Sequence, residues 1–222
     1  MHPLLGHLSR LGRTLLDLVL PAECVLCSSS EDDLCRSCFA EASGPPHIEP
    51  FEDMLLVTSG ARAELVVRIL RQLKDHGQTR LARPLSQWLQ HALDLALTEA
   101  GLRPDDAVLV VPPSPWSSWR ARGFRPVPLI LSRARMEPLR LLANARRRRD
   151  QRSLGARDRI DNLAGAFRAR FRLEGISVII VDDVVTTGST ILEAARALEA
   201  AGARVVGAVT LVRVPLINNT EH

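Results

Sequence analysis

The chain reads as an α/β protein whose main body is an open parallel sheet flanked by helices, preceded by a small cysteine-bearing module. Three observations predict this. Ala107–Val111 and Val178–Val181 are continuous apolar runs rich in β-branched residues, as expected for strands covered on both faces. Amphipathic segments of helical period lie between such runs. Four cysteines stand in two close pairs ahead of the first strand.

Taken in order, Leu4, Leu8, Leu11, Leu15 and Val19 recur at helical spacing and predict an amphipathic helix over about residues 3–19, ending before Pro21. A leucine stripe of this kind is ordinarily core packing. The cysteines follow as Cys24-x2-Cys27-x7-Cys35-x2-Cys38. Each Cys-x-x-Cys half forms a knuckle that presents two thiolates, and two knuckles complete the closed four-sulfur shell of structural zinc. With all four positions filled by protein no site is left for catalytic water, so the metal is expected to fold its module and do no chemistry. Ser43-Gly-Pro-Pro-His47 is the expected boundary, dividing the chain into 1–46 and 47–222.

Met54–Ser59 then reads as a short strand and Ala61–Leu73 as a helix with Leu65, Val66, Ile69, Leu70 and Leu73 on one face, ending at Lys74-Asp75-His76-Gly77. A further helix is expected from Pro84 to about Glu99, with Leu85, Trp88, Leu89 and Leu93 at helical spacing. Ala107–Val111 breaks at Pro112-Pro113 into a loop over Ser114–Phe124, and a helix follows near Val127–Met136. That loop leaves the carboxyl end of a central strand, the edge where open α/β sheets bind ligands, and it carries Arg120 and Arg122. Arg146–Arg149 with Arg152 form a cation run that no core accepts. It suits a solvated loop, a lid over a polyanion or a contact to nucleic acid. Ile191–Ala201 is expected as a helix closed by Gly202, and Val205–Val214 as the last strand.

The most informative stretch is Val178–Thr190, an apolar strand running into Asp182 and Asp183 and then into Thr186-Thr187-Gly188-Ser189-Thr190. Two carboxylates at the carboxyl end of a buried strand can accept charge-assisted hydrogen bonds from a vicinal diol such as the hydroxyls of a ribose. The turn beyond them has the opposite polarity. Its amides, its hydroxyls and the positive end of the next helix converge where a 5'-phosphate would sit. Thr190 with Glu193 also has the form of a capping box, but capping asks neither for paired aspartates nor for four hydroxyl residues around one glycine. No Gly-x-x-x-x-Gly-Lys-Ser/Thr and no helix-opening Gly-x-Gly-x-x-Gly occurs, which excludes a P-loop and leaves a dinucleotide fold unsupported.

Composition narrows the class further. With 222 residues, 46% hydrophobic and a formal charge of +4, the chain has room for one sizeable domain and an appendage. Lys74 is the only lysine among many arginines, a hint that a compact ammonium is wanted there. No run reaches the about 18 apolar residues of a membrane span, because Arg10, Arg13 and Asp17 interrupt the leucine-rich start. No signal-peptide pattern precedes the cysteines either, so a cytoplasmic protein is expected. The aromatic content of 4%, with no tyrosine, argues for electrostatic rather than stacking contact with any DNA.

Residues Val178–Thr190 resemble the 5-phosphoribosyl-1-pyrophosphate (PRPP) motif of type I phosphoribosyltransferases. That resemblance implies that Asp182 and Asp183 hold the ribose while Thr186, Thr187, Gly188, Ser189 and Thr190 hold its 5'-phosphate. Over nearly the whole chain the order of features is similar to the bacterial ComF-type competence proteins, the group that includes GntX-like proteins. Arg120-x-Arg122-Gly123-Phe124 resembles that family's Arg-Gly-Phe loop, Lys74 with Gly77 its first block, and Gln151–Phe167, with Arg157 and Asn162, its second. Two departures are Arg125-Pro126 where the family usually has Asn-Gln, and Pro112-Pro113-Ser114 where Pro-Val-Pro commonly stands. The resemblance implies a PRPP-binding domain linked to uptake of transforming DNA, with Mg2+ on the pyrophosphate, Arg120 and Arg122 beside it, and Lys74 and Arg157 as further candidates. Two readings stay open: transfer of phosphoribose to an acceptor, or a non-catalytic PRPP sensor that docks single-stranded DNA or a DNA-uptake helicase.

Overall fold

The computed structural model describes residues 23–30, 32–114, 122–145 and 165–214. The expected leucine helix, Arg120, Arg157 and the Arg146–Arg152 run lie outside the described residues. The chain divides into two compact units, one ending at Ala42 and the other beginning at Ser43. Among its described residues the first holds the cysteine knuckles and one short helix, α1 (Arg36–Ala42).

The second unit is built on a five-stranded sheet. Its strands are β1 (His47–Phe51), β2 (Met54–Thr58), β3 (Val108–Val110), β6 (Ser177–Val185) and β7 (Arg204–Arg213), in the order β1-β2-β7-β6-β3. Every pairing is parallel except β1 with β2. The antiparallel edge strand β1 lies between the expected boundary and the first expected strand, and it carries Pro50. An edge tolerates that proline, since one side of the strand needs no partner. A two-stranded antiparallel ribbon, β4 (Leu142–Asn144) with β5 (Phe167–Ala169), was unforeseen.

Helices cover both faces of the sheet. α2 (Ala63–Asp75) buries Val66, Ile69, Leu70 and Leu73 and leaves Leu65 half-buried, and α3 (Ala82–Glu99) buries Leu85, Trp88, Leu89 and Leu93, as their spacing predicted. Ala96 of α3 and Ile179 of β6 line one small cavity, which puts α3 over the face carrying the odd-numbered residues of that strand. α5 (Ser189–Glu199) covers the other face, where Val178, Ile180, Leu56 and Ala208 pack with Ile191, Ala194 and Leu198. Buried on both sides, Val178–Val181 are wholly inaccessible, which is why the run shows no polar alternation. The shorter α4 (Pro126–Arg133) completes the described helices of this unit, with proline at its first turn.

Candidate functional site

The described strands have one switch point, and the candidate residues lie there. From β3 the chain passes through α4 to Leu139, which bridges to Val110 on the edge of β3 that faces away from β6. From β6 it passes through α5 to β7 on the opposite side. The carboxyl ends of β3 and β6 therefore flank the switch point, and the crevice between them is the position at which such sheets take ligands.

Asp182 and Asp183 sit at this crevice, inside the strand rather than after it, since β6 continues to Val185. Neighbouring strand residues alternate between faces, so the two carboxylates are not equivalent. Asp183 shares the face of α2 and accepts an ion pair from Lys74 Nζ at 2.8 Å, with only 13% of its side chain exposed. Asp182 accepts a hydrogen bond from the Asp183 amide at 2.8 Å. Burial first, and then the charge of Asp183, push its carboxyl up to about 7, against the opposing pull of that amide and of Lys74. The chain's single lysine thus neutralises one of the two acids, and the other is poised between its charged and neutral forms at physiological pH.

Beyond Val185 the turn is shaped by one glycine. Gly188 has φ 78° and ψ 0° and is the N-cap of α5, a left-handed conformation that side chains resist. A β-carbon there would also overlap Cζ of Phe51. The ring cannot easily step aside, because Phe51 is buried and the Arg213 guanidinium lies 5.3 Å from its centroid, itself fixed to Glu49 at 2.8 Å. Thr187 Oγ1 and Ser189 Oγ are 2.8 Å apart, and the Ser189 amide donates to Thr187 Oγ1 at 3.3 Å. The remaining amides of the first helical turn have no intrahelical carbonyl to bond, so the turn presents donors and a positive dipole end to the crevice. Gly188→Ala should store about 1–3 kcal/mol of backbone strain before any clash with Phe51. A melting temperature lowered by on the order of 5 °C is the expected result.

The capping box expected from Thr190 and Glu193 does not form, since Gly188 is the N-cap and no side chain caps the helix. Glu193 is instead buried and turned toward the ribbon, accepting from the Phe167 amide at 3.0 Å and from Arg196 Nε at 2.7 Å and Nη2 at 2.8 Å. A buried orphan amide on a strand start costs more than a missing helix cap, and this contact satisfies it. Glu193 is thus a fastening between α5 and β5 that the local pattern concealed.

Of the remaining candidates, Arg122 lies near α2, its Nη2 3.7 Å from Asp75 Oδ1, the residue next to Lys74. Lys74 and Arg122 are therefore brought to the same helix end. Arg120 and Arg157 lie outside the described residues.

In the first unit the four cysteine sulfurs lie within 4.8 Å of one another, with Cys27 and Cys35 Sγ 3.6 Å apart. Tetrahedral zinc–sulfur bonds of 2.3 Å would set sulfur–sulfur distances of about 3.8 Å, so the cluster fits such an ion. The Cys35 amide donates to Cys24 Sγ at 3.4 Å, which suits a thiolate. A hydrogen bond with Ser37 is the main influence drawing the Cys35 thiol down to about 6, while burial pushes the Cys38 thiol up. A bound cation would hold both as thiolates.

An open parallel sheet with paired acids at its switch point and a glycine-opened helix beyond them is the architecture of a phosphoribosyltransferase domain, and the profile of that description, Phosphoribosyl transferase domain, matches residues 120–216. Similar proteins extend the match to nearly the whole chain. The DNA utilization protein YhgH of Escherichia coli O6:H1 is 34% identical over 204 residues, covering 89% of this chain and 85% of that protein. Its namesake in Salmonella typhimurium LT2 is 33% identical over 148 residues, 62% of this chain and 63% of that protein. The adenine phosphoribosyltransferase of Rhodococcus jostii matches a shorter stretch, 43% identical over 50 residues, which is 22% of this chain and 28% of that enzyme. The chain belongs to the YhgH family of DNA utilization proteins, a ComF-type family with a phosphoribosyltransferase domain.

Proposed function

We propose that this protein binds PRPP with Mg2+ at the β3–β6 crevice and serves in the handling of incoming DNA. The observation that carries the ligand is the pairing of Asp182 and Asp183 with the Gly188 turn at a single strand end, acids for the diol followed by donors for the phosphate. In this reading Asp183, held by Lys74, accepts from one ribose hydroxyl and Asp182 from the other. Thr186 to Thr190 cradle the 5'-phosphate, and Arg122 with Lys74 supplies positive charge for the pyrophosphate, a task for which the family resemblance also makes Arg120 and Arg157 candidates.

Mg2+ would neutralise part of the pyrophosphate charge, with ligands largely from PRPP oxygens and water. Transfer would break the bond from C1' to pyrophosphate oxygen and form one from C1' to an acceptor nucleophile. The chain's own task is to hold ribose and 5'-phosphate still while cations receive the leaving group. A second reading keeps the same ligand contacts and omits the transfer step, leaving a PRPP sensor that takes part in DNA handling. The name of the YhgH relatives supports the DNA role, and four free thiols suit zinc in a reducing cytoplasm.

Titration of Mg2+-PRPP between pH 6 and pH 8 tests the site. Asp182 accepts a diol proton best as an anion, so affinity should tighten as pH rises through about 7, and Asp182→Asn should flatten the profile. The unliganded protein should show the reverse trend in stability. Its Asp182 holds a proton more tightly than the unfolded chain does, so the stabilisation present below about pH 4 is lost as pH rises through about 7. A pH-independent affinity in the wild type would remove Asp182 from the site. Pyrophosphate release in the presence of candidate acceptors separates the two readings.

A further inference from the structure

At the far end of α5 from the phosphate turn, the ribbon strand β5 and the segment after it form an open groove of about 390 Å3 against the helix. It is lined by Arg168, Arg170, Arg172 and Arg196 with Phe171, and by alanines at and just beyond the carboxyl end of α5. Phe171 is 65% exposed, more than any other large hydrophobic side chain among the described residues. We propose that this groove is a binding surface for single-stranded nucleic acid, in which Phe171 stacks on a base and the arginines hold the flanking phosphates. The proposal rests on the reading of the chain as a DNA-handling protein and is independent of the PRPP site.

The charges facing the groove favour an anionic strand. Glu193 is buried and spent on Arg196 and Phe167, and Glu174 meets Arg172 only at 3.4 Å on an exposed rim. Arg168 has no ion-pair partner among the described residues. Arg170 donates through Nε to the Leu142 carbonyl at 3.1 Å, which fixes its guanidinium and leaves the terminal nitrogens available. Arg168 and Arg170 are alternate residues along an extended segment, about 7 Å apart, a spacing that an extended strand can follow from phosphate to phosphate. An exposed ring between fixed cations is the arrangement that binds unpaired bases without regard to sequence. An acidic peptide has no use for the ring, and a membrane surface asks for an apolar face where this groove has one aromatic side chain among arginines. The low aromatic content of the sequence concealed this, because stacking needs one well-placed ring rather than many.

The test is fluorescence anisotropy of the full-length protein with labelled oligo(dT) of 20 nucleotides over a range of salt concentrations. Phe171→Ala should weaken binding about ten-fold or more, with Phe171→Trp restoring it. Arg168→Gln with Arg170→Gln should lower the slope of log affinity against log salt by about 1.4, about 0.7 for each cation removed. An abasic strand of equal charge should bind wild type and Phe171→Ala alike. Mg2+-PRPP titrations of the same variants should be unchanged, so failure here and failure of the PRPP site are read separately. Absence of oligo(dT) binding, affinity unaltered by these substitutions, or equal competition by polyglutamate or phosphatidylserine vesicles would overturn the proposal.

Discussion

Asp183→Asn should weaken Mg2+-PRPP binding by at least about a hundred-fold. The substitution keeps the size of the side chain but removes the charge, so hydrogen bonds from ribose hydroxyls fall to roughly half their strength. It also breaks the 2.8 Å pair with Lys74, leaving that ammonium only 23% exposed and without its carboxylate. A lost hydrogen bond to a charged group costs about 1.5–3 kcal/mol, and here the ligand's bond and the preorganisation by Lys74 go together. Calorimetric titration of the variant checks this. Near wild-type affinity would mean that Asp183 serves structure and not the ligand.

Loss of metal from the cysteine cluster should unfold the first unit as a whole. Five apolar side chains are buried between residues 23 and 42, and three of them are Cys24, Cys35 and Cys38. Among the described residues of the unit only Leu34 and Ala42 are then left, too little apolar surface to offset the entropy of ordering some 20 residues, at about 1–2 kcal/mol each for the backbone alone. Structural zinc supplies on the order of 10–16 kcal/mol in small metal-folded domains, which is the scale needed. Elemental analysis is expected to find one zinc per chain and far less in Cys35→Ser. Limited proteolysis of that variant, or of protein treated with a strong chelator, should remove the first unit and spare the chain beyond Ser43. Resistance of the metal-free protein to cleavage would show a unit that folds by packing.

The continuous apolar run at Val178–Val181 and the helical stripes of α2 and α3 were legible because burial on two faces, or on one, leaves a direct imprint on composition. Lys74 stood out for the same kind of reason, as an exception to a strong arginine preference, and it does meet Asp183. Other features left no such imprint. β1 was hidden by Pro50, which only an edge can accommodate. The β4–β5 ribbon is too short for a two-residue period to register. Glu193 satisfied a local capping pattern while its tertiary partner was an amide 26 residues away. The inequality of Asp182 and Asp183 also escaped, because it depends on which face of the strand each occupies and on which helix covers that face. Nothing in a pair of adjacent aspartates distinguishes the neutralised one from the one that titrates.

In the proposed function one strand end grips a ribose through its acids and a phosphate through its glycine turn. Isothermal titration of Mg2+-PRPP into the wild type and into the doubly substituted Asp182→Asn, Asp183→Asn protein tests it most directly. One site per chain is expected in the wild type and no measurable heat in the double variant, with both proteins melting as folded species. Equal binding by the two proteins, or no binding by a folded wild type, would contradict it.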